Sequence, residues 1–161
     1  IDNVVSNEFR WAEPRFISSE KYAELDRYTV RPGDVMVTIM GTTGRVAIAP
    51  DDLPTCISTK HLCTLTLDRK KMLPTYLWAC LRWDPEVRAQ TRREAKGAIM
   101  EGWNMGIVKG LLVNAPPMEV QLKFEEIAGR IKRMSSAQAL AVRGTDELVA
   151  SLSAKYFEPT T

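Results

Sequence analysis

The chain has 161 residues, of which 45% are hydrophobic, so its length and composition suit one domain of ordinary size with its own core. A formal net charge of +2 excludes a surface that attracts polyanions everywhere, and any nucleic-acid site has to come from local clusters of basic residues. The 3 cysteines lack the close spacing of zinc and redox motifs, which favours reduced thiols and the cytoplasm. No apolar stretch is long enough to span a bilayer, so no membrane association is expected.

The N-terminal region is predicted to contain short elements. Weak alternation of polar and apolar side chains over residues 1–29 predicts short strands and a turn near residues 12–14. A short helix or turn is predicted near residues 18–25 with Ser18 or Ser19 as its cap, because a serine hydroxyl accepts hydrogen bonds from the free amides of a first helical turn.

The clearest local prediction is a β-hairpin. Arg31–Asp34 contains a Pro-Gly pair, in which proline presets one turn dihedral and glycine accepts a positive φ. The β-branched run over residues 35–40 predicts a buried strand, and Gly41–Gly44 turns the chain back into a second strand over residues 45–49. Because a strand follows and the lysine of a phosphate loop is missing, a tight turn explains these glycines better than phosphate binding does.

The later elements alternate in type. Residues 57–67 predict a strand pair or one long strand, residues 74–83 predict a helix, and Pro85 begins a second helix that ends near Lys96. An apolar extended run over residues 107–113 predicts a further strand. Strands with inserted helices favour an α+β fold over a doubly wound parallel sheet.

The break at Pro116-Pro117 divides the chain into a β-rich globular body over residues 1–117 and one long helix over residues 118–157. Neither proline supplies an amide hydrogen, and Pro117 keeps Pro116 out of the helical region, so no regular element crosses the pair. Pro117 stands just ahead of the helix start, and Glu119 lies near the positive end of the helix dipole.

The long helix carries a heptad pattern. Most residues at its two seam positions between Val120 and Leu152 are apolar, and such a pattern sustained over about five heptads is typical of a coiled coil. So small a body cannot cover a seam of this length, and a partner helix is therefore expected, either elsewhere in a longer chain or on a second chain. The predicted helix-pairing residues are Ile127, Ile131, Met134, Leu148 and Leu152.

No catalytic residue and no metal site is predicted. The single histidine, His61, has no serine or cysteine nucleophile at a recognisable spacing, and a lone histidine is more often structural than catalytic. Asp51 and Asp52 are adjacent, so they point to opposite sides of an extended chain and do not form a carboxylate pair. The sequence also offers no set of three metal ligands.

Basic residues cluster in two places. Arg88, Arg92 and Lys96 follow one another at i,i+4 on the second helix, with Arg93 just round the face, and four such charges can contact phosphates. Glutamates on the same helix partly neutralise them, so composition alone slightly favours a solvated charged face. The second place is the loops, where the glycine turn and a Lys-His pair present polar groups. The candidate DNA contacts are Thr42, Thr43, Arg45, Lys60, His61, Arg88, Arg92, Arg93 and Lys96.

The order of these motifs resembles that of one protein family. The Gly33-Asp34 turn, the Gly41–Gly44 hairpin and the Pro74–Leu77 helix start precede the run Leu111–Gln121, in which a double proline, an acidic residue and a glutamine stand ahead of a long helix. Over nearly the whole chain, this succession resembles the target-recognition domain and conserved helix of type I restriction-modification specificity subunits. The proline-proline, acidic residue and glutamine junction is its most specific part.

The resemblance implies a non-catalytic protein that binds one half of a split target in double-stranded DNA. Partner subunits would carry the chemistry: a modification subunit that binds S-adenosylmethionine, and a restriction subunit that uses ATP and Mg. This chain itself is expected to hold no cofactor. The arginines of the second helix would position the domain on phosphates, and the loop residues would reach base edges.

The same resemblance implies a role for the long helix. In this family, long helices pair antiparallel, separate two recognition units and dock the modification subunits. This chain has one recognition unit, one long helix and a short N-terminal stretch, and it begins at Ile1. We therefore expect either a fragment or a half-size subunit that restores the pair as a homodimer.

Two other interpretations remain open. A coiled-coil assembly or scaffold protein would share the long helix, but its globular part would bind protein and have no affinity for duplex DNA. An enzyme would use the Gly41–Arg45 loop to hold a phosphorylated substrate, and substitution of Thr42, Thr43 and Arg45 would then change turnover.

Overall fold

The computed structural model describes residues 2–4, 6–95 and 103–157. The chain divides into two compact units, Ile1–Gln121 and Leu122–Thr161. The strands, all in the first unit, are β1 (Thr29–Val30), β2 (Val35–Thr38), β3 (Val46–Ile48), β4 (Cys56–Ile57) and β5 (Leu62–Leu65). The α-helices are α1 (Ser19–Leu25), α2 (Pro74–Trp83), α3 (Pro85–Ala95), α4 (Met105–Gly110) and α5 (Met118–Phe157). Two short 3-10 helices cover Asp2–Val4 and Asp26–Tyr28. This mixture confirms the predicted α+β class.

The central element of the first unit is β2. It pairs antiparallel with β3 on one side and with β5 on the other, and a separate two-stranded sheet joins β1 to β4. Val35 and Val37 point into a cluster with α2, α3 and α4, whereas Met36 points into a second cluster with Val4 and Val30. Because successive strand residues face opposite sides, β2 is covered on both faces, and its first three residues are all apolar.

Both predicted turns around β2 are present. In the first turn Gly33 has φ +79°, the Asp34 amide donates to the Arg31 carbonyl at 3.0 Å, and the Asp34 carboxylate accepts from the Arg31 amide at 2.8 Å. The second turn has Gly41 at φ +73° and Gly44 at φ +77°, and it joins β2 to β3 as an antiparallel hairpin. The hairpin prediction is therefore confirmed.

Three predicted helices are confirmed. Ser18 caps α1 by accepting from the Lys21 amide at 3.2 Å. The second predicted helix corresponds to α2, and the third to α3, whose first turn is capped by the Asp84 carboxylate at 2.8 Å from the Glu86 amide. Lys96, placed at the end of the third helix by the sequence, lies outside the described residues.

Three strand predictions differ from the structure. The described residues between 6 and 18 form no strand. Residues 57–67 contain β5 and the end of β4, but these strands pair with β2 and β1 instead of with each other. The predicted strand over 107–113 is wrong: its first part lies in α4, because the Asn104 side chain accepts from the Ile107 amide at 2.9 Å and so caps a helix.

Gln121, in the first turn of α5, is a buried polar anchor of the first unit. Its side chain is fully buried, with 0% exposure. The side-chain oxygen accepts from the Leu73 amide at 2.9 Å, and the side-chain nitrogen donates to the carbonyls of Lys71 at 3.0 Å and Pro116 at 2.8 Å. Its polar atoms are therefore paired with backbone groups of two segments, one just before α2 and one just before α5.

The second unit is the continuation of α5, a helix of 40 residues that confirms the predicted uninterrupted pattern. Its predicted seam is exposed within this chain: Ile131 is 61% exposed, Met134 71% and Leu148 60%, and Ile127 is also exposed. The side chain of Leu152 lies outside the described part of the helix. Large apolar side chains at helical spacing are thus exposed on this part of α5.

We predict that Gln121→Ala lowers the free energy of unfolding by about 2–4 kcal/mol, because it removes the fully buried amide that pairs with three backbone groups and leaves a cavity in its place. Urea denaturation of the full chain measures the effect. The control is Ser136→Ala, an exposed polar residue of the same helix that lies off the heptad seam, and it should change the stability by less than about 0.5 kcal/mol. Equal effects of the two substitutions would contradict the anchoring role.

Candidate nucleic-acid interface

An open cleft of about 510 Å³ lies on the first unit, where the β2–β3 hairpin turn meets the end of α2 and the exposed face of α3. The residues that line it are Asn7, Thr43, Gly44, Arg45, Leu81, Arg82, Trp83, Arg88, Thr91, Arg92 and Trp103. We refer to it as the arginine cleft, because four of these residues are arginines. Long-range contacts thus bring residues from distant parts of the sequence into one concave surface.

The structure brings together four of the residues that the sequence predicts as DNA contacts. Thr43 and Arg45 come from the hairpin turn, and Arg88 and Arg92 come from α3. The sequence places these residues in two separate segments, the glycine turn and the second helix, and the fold combines the two segments at one surface. Thr42 lies on the same turn and is exposed.

The remaining candidates lie elsewhere. Lys60 and His61 precede β5 at the same end of the sheet as the hairpin turn, since β2 and β5 are antiparallel and the Ile39 amide donates to the His61 carbonyl at 2.9 Å. Arg93 lines a second cleft, next to Gln90 and Glu94. Lys96 lies outside the described residues.

The hairpin turn is held in place by Thr38, the last residue of β2. Its buried hydroxyl donates to the Thr42 carbonyl and accepts from the Arg45 amide at 2.9 Å. The backbone adds a pair of hydrogen bonds, since the Gly44 amide donates to the Thr38 carbonyl and the Thr38 amide donates to the Arg45 carbonyl, both at 2.9 Å. The backbone that carries Thr43 and Arg45 is therefore fixed before any ligand arrives.

The arginines of helix α3 are exposed because the residue before each of them is buried in the core, which fixes the orientation of the helix. Val87 is 1% exposed and belongs to the main hydrophobic cluster, and Thr91 is 6% exposed, with its hydroxyl donating to the Arg88 carbonyl at 3.0 Å. Residues one position later, Arg88 and Arg92, are one helical turn apart and exposed at the cleft.

A tryptophan-arginine cluster at the end of α2 was missed by the sequence reasoning. The Arg82 guanidinium lies 4.5 Å from the ring centre of Trp78 and 4.3 Å from that of Trp83, and the two rings meet edge to face at 5.1 Å. The Trp78 ring nitrogen donates to the carbonyls of Asn7 and Val46, each at 3.1 Å. The i,i+4 spacing of Trp78 and Arg82 on a predicted helix was the available signal.

The arginine cleft is cationic. Among the described residues, the salt bridges join Lys21 to Glu24 and Lys71 to Asp68, and neither involves a cleft arginine. Partial burial lowers the pKa of Arg82, the nearby Glu8 carboxylate raises it, and the Arg45 charge lowers it further. An arginine stays charged throughout the neutral range, so the cleft suits a ligand that is negatively charged.

The cysteine thiols do not line the arginine cleft and are not activated. Burial raises the pKa of Cys56, Cys63 and Cys80, which keeps these thiols protonated near neutral pH. All three cysteines are free thiols. The described residues contain no group of three metal-ligating side chains, and no described helix has both the length and the apolar composition needed to cross a membrane.

Comparisons with known proteins agree with this architecture. No family model matches the sequence, and no curated protein matches it. Among solved structures, the HsdS subunit from Thermoanaerobacter tengcongensis is 22% identical with a TM-score of 0.52. A second match, a chain from a structural study of complex assembly and conformational transition of the type I R-M system, is 24% identical with a TM-score of 0.55. The chain has an HsdS-like fold.

The match covers most of this chain but a minority of the others. It includes 83% and 81% of this chain, and 36% and 35% of the respective solved chains. The chain therefore spans about a third of the length of the structures it matches. The resemblance deduced from the motif order is confirmed at the level of the fold, and the activity of a whole HsdS-like protein is a matter for proposal.

We predict that Gly44→Ala destabilises the first unit by at least about 1–2 kcal/mol, because the turn requires φ +77° and an added methyl group would lie 3.2 Å from the Trp103 ring. Thermal unfolding measures the loss. Gly110→Ala is the matched control, since it has neither a positive φ nor an atom within 4 Å of the added methyl group. A Gly44→Ala protein as stable as the control would contradict the described turn.

Proposed function

We propose that the chain is the DNA-recognition part of a type I restriction-modification specificity subunit and is itself without catalytic activity. The observation that carries this proposal is the arginine cleft, which joins cations of the hairpin turn and of α3 on an HsdS-like fold. Phosphates of duplex DNA are the abundant anions that such a surface binds, and these contacts set affinity and position.

Base recognition is proposed to come from the loops at the same end of the sheet. Thr42 and Thr43 lie on the fixed hairpin turn, and Lys60 and His61 lie on the neighbouring loop. Hydroxyl, ammonium and imidazole groups hydrogen-bond base edges in the grooves of DNA. Arg93 supplies a further phosphate contact only where the DNA extends past the arginine cleft.

The long helix is proposed to pair with a second such helix, from another recognition unit or from a second copy of this chain. The exposed side chains of Ile127, Ile131, Met134 and Leu148 support this proposal, since a stripe of large apolar side chains is normally covered in the working assembly. Pairing would set the distance between two half-sites of a split target.

The chemistry is proposed to reside in partner subunits. A modification subunit would bind S-adenosylmethionine, and a restriction subunit would use ATP and Mg, while this chain directs both to the target. The three free thiols support the cytoplasm as the compartment, because reduced cysteines persist there.

We predict that the chain, combined with a methyltransferase partner, enriches one short half-site from a random duplex library. Its affinity for duplex DNA should fall steeply with salt because phosphate contacts release counterions. Arg88→Gln with Arg92→Gln should lower the slope of log affinity against log salt by about 2, about 1 for each lost phosphate contact.

The matched control for that experiment is Arg133→Gln with Arg143→Gln, which removes two positive charges from the second unit and should leave the salt slope unchanged. If the library yields no enriched sequence and the chain has no duplex affinity, the DNA-recognition proposal is wrong, and the interpretation as a coiled-coil scaffold is favoured.

We predict that the full chain self-associates through α5 and that Ile131→Asp raises the dissociation constant at least about tenfold, because a carboxylate would be buried in an apolar seam. Sedimentation velocity over a range of concentrations measures this. Ser136→Asp introduces the same charge at a position off the seam and should have little effect. Equal self-association of both variants would contradict the assigned pairing face.

A further inference from the structure

Arg82 is the arginine of the arginine cleft whose guanidinium lies over two aromatic rings. It is 4.5 Å from the ring centre of Trp78 and 4.3 Å from that of Trp83. Trp78 is itself fixed by two hydrogen bonds from its ring nitrogen to backbone carbonyls. A guanidinium in contact with two rings has already lost part of its rotational freedom, so binding a ligand costs it less further entropy.

The donors of Arg82 are free to bind a ligand. A guanidinium carries five N–H donors, and within the described part of the chain no hydrogen bond or salt bridge to a protein acceptor uses them. They are not sealed in the core either, since the buried polar side-chain atom without a partner among the described residues is the Thr64 hydroxyl. The Arg82 donors therefore reach the solvent of the cleft, whose wall this residue forms.

The neighbours of Arg82 favour an anion over a neutral ligand. Arg45 faces the same cleft and is close enough for its charge to lower the pKa of Arg82. Two adjacent like charges repel each other, and an anion between them converts this repulsion into attraction. Glu8 is the nearby carboxylate, and it lies beyond salt-bridge distance of Arg82.

We propose that Arg82 and Arg45 together form a seat for one backbone phosphate of duplex DNA, with Trp78 and Trp83 as the positioning residues. This inference rests on the proposed DNA-recognition function and names the chemical group that this cleft takes. The shape agrees, because a concave cleft receives the convex sugar-phosphate backbone, whereas base edges lie inside a groove and are reached by protruding loops. A neutral guanine edge would leave the repulsion between the two arginines uncompensated.

The test measures how binding of duplex DNA by the full chain and its variants depends on salt, with a 20-base-pair duplex as the first probe. The second probe is a series of the same duplex in which one phosphate at a time is replaced by a neutral methylphosphonate. Arg82→Gln should lower the salt slope by about 1 and weaken binding by a similar factor for all duplex sequences. Arg82→Lys should keep the slope, since the charge remains, but bind more weakly because the stacked planar fork is lost. Glu8→Gln should bind more tightly, because a competing carboxylate near the phosphate is removed.

The methylphosphonate series locates the contact from the DNA side. One neutralised phosphate should weaken wild-type binding and have a smaller effect on Arg82→Gln, since the partner charge is already absent. Arg45→Gln should show the same loss of coupling, and it replaces Arg82→Gln as the readout if the latter fails to fold in thermal unfolding.

Two outcomes overturn different parts of the account. If the wild-type chain has a normal salt slope and Arg88→Gln lowers it while Arg82→Gln and Arg45→Gln do not, the phosphate seat is wrong and the proposed function stands. A loss in Arg82→Gln that is confined to duplexes with guanine at one position also overturns the seat, because it identifies a base contact. If the wild-type chain has no affinity for duplex DNA, the proposed function itself is wrong.

Discussion

The structure of the first unit depends on how one buried amide, that of Gln121, is paired. Leu73 begins α2 without a polar side chain of its own to cap the helix, and the amide oxygen of Gln121 takes up its free N–H. The amide nitrogen donates to two carbonyls. One belongs to Lys71, at the end of a charged turn, and the other to Pro116, which is followed by a second proline. Leaving a buried polar group without a hydrogen bond costs more free energy than one hydrogen bond contributes to stability. The buried Gln121 amide therefore needs its backbone partners in place when the first unit folds. The first turn of α5 is therefore part of the body, although the rest of that helix forms a unit of its own.

Helix α2 connects the Gln121 anchor to the arginine cleft, because Gln121 bonds the residue before its start and its last residues line the cleft. Leu77 and Leu81 pack on the central strand β2, whose last residue, Thr38, fixes the hairpin turn. The next residue after each of these leucines, Trp78 and Arg82, lies at the edge of the same cluster. After one break at Asp84 the chain continues into α3 with its exposed arginines. The cleft is thus formed by two helices and a hairpin that share one hydrophobic cluster. Cations that repel one another are held together by apolar packing underneath them, and this is the arrangement expected of a preformed anion-binding surface.

The sequence predicted the elements that depend on local signals. Glycines with positive φ specified the hairpin, Ser18 specified the start of α1, and the prolines specified where α5 begins. Elements that depend on distant partners were missed. Residues 107–113 had the composition of a strand, yet Asn104 caps a helix there, and the side chain of Gln90 pairs with both backbone groups of Leu112, each at 2.9 Å. The candidate site followed the same rule. The charges were identifiable along the chain, and so was the i,i+4 spacing of Trp78 and Arg82 on α2. Their meeting with Arg45 of the hairpin turn and with Arg88 and Arg92 of α3 in one cleft depends on long-range packing.

The central claim is that DNA binds the first unit at the arginine cleft, and hydrogen-deuterium exchange of the full chain with and without duplex DNA tests it most directly. Exchange reports where backbone amides become protected, so it requires no substitution and no knowledge of the target sequence. The account predicts that DNA slows exchange in the hairpin turn over residues 41–45 and in the described part of α3 over residues 85–92. Protection that is confined to residues 122–157, with the hairpin turn and α3 unchanged, would contradict it.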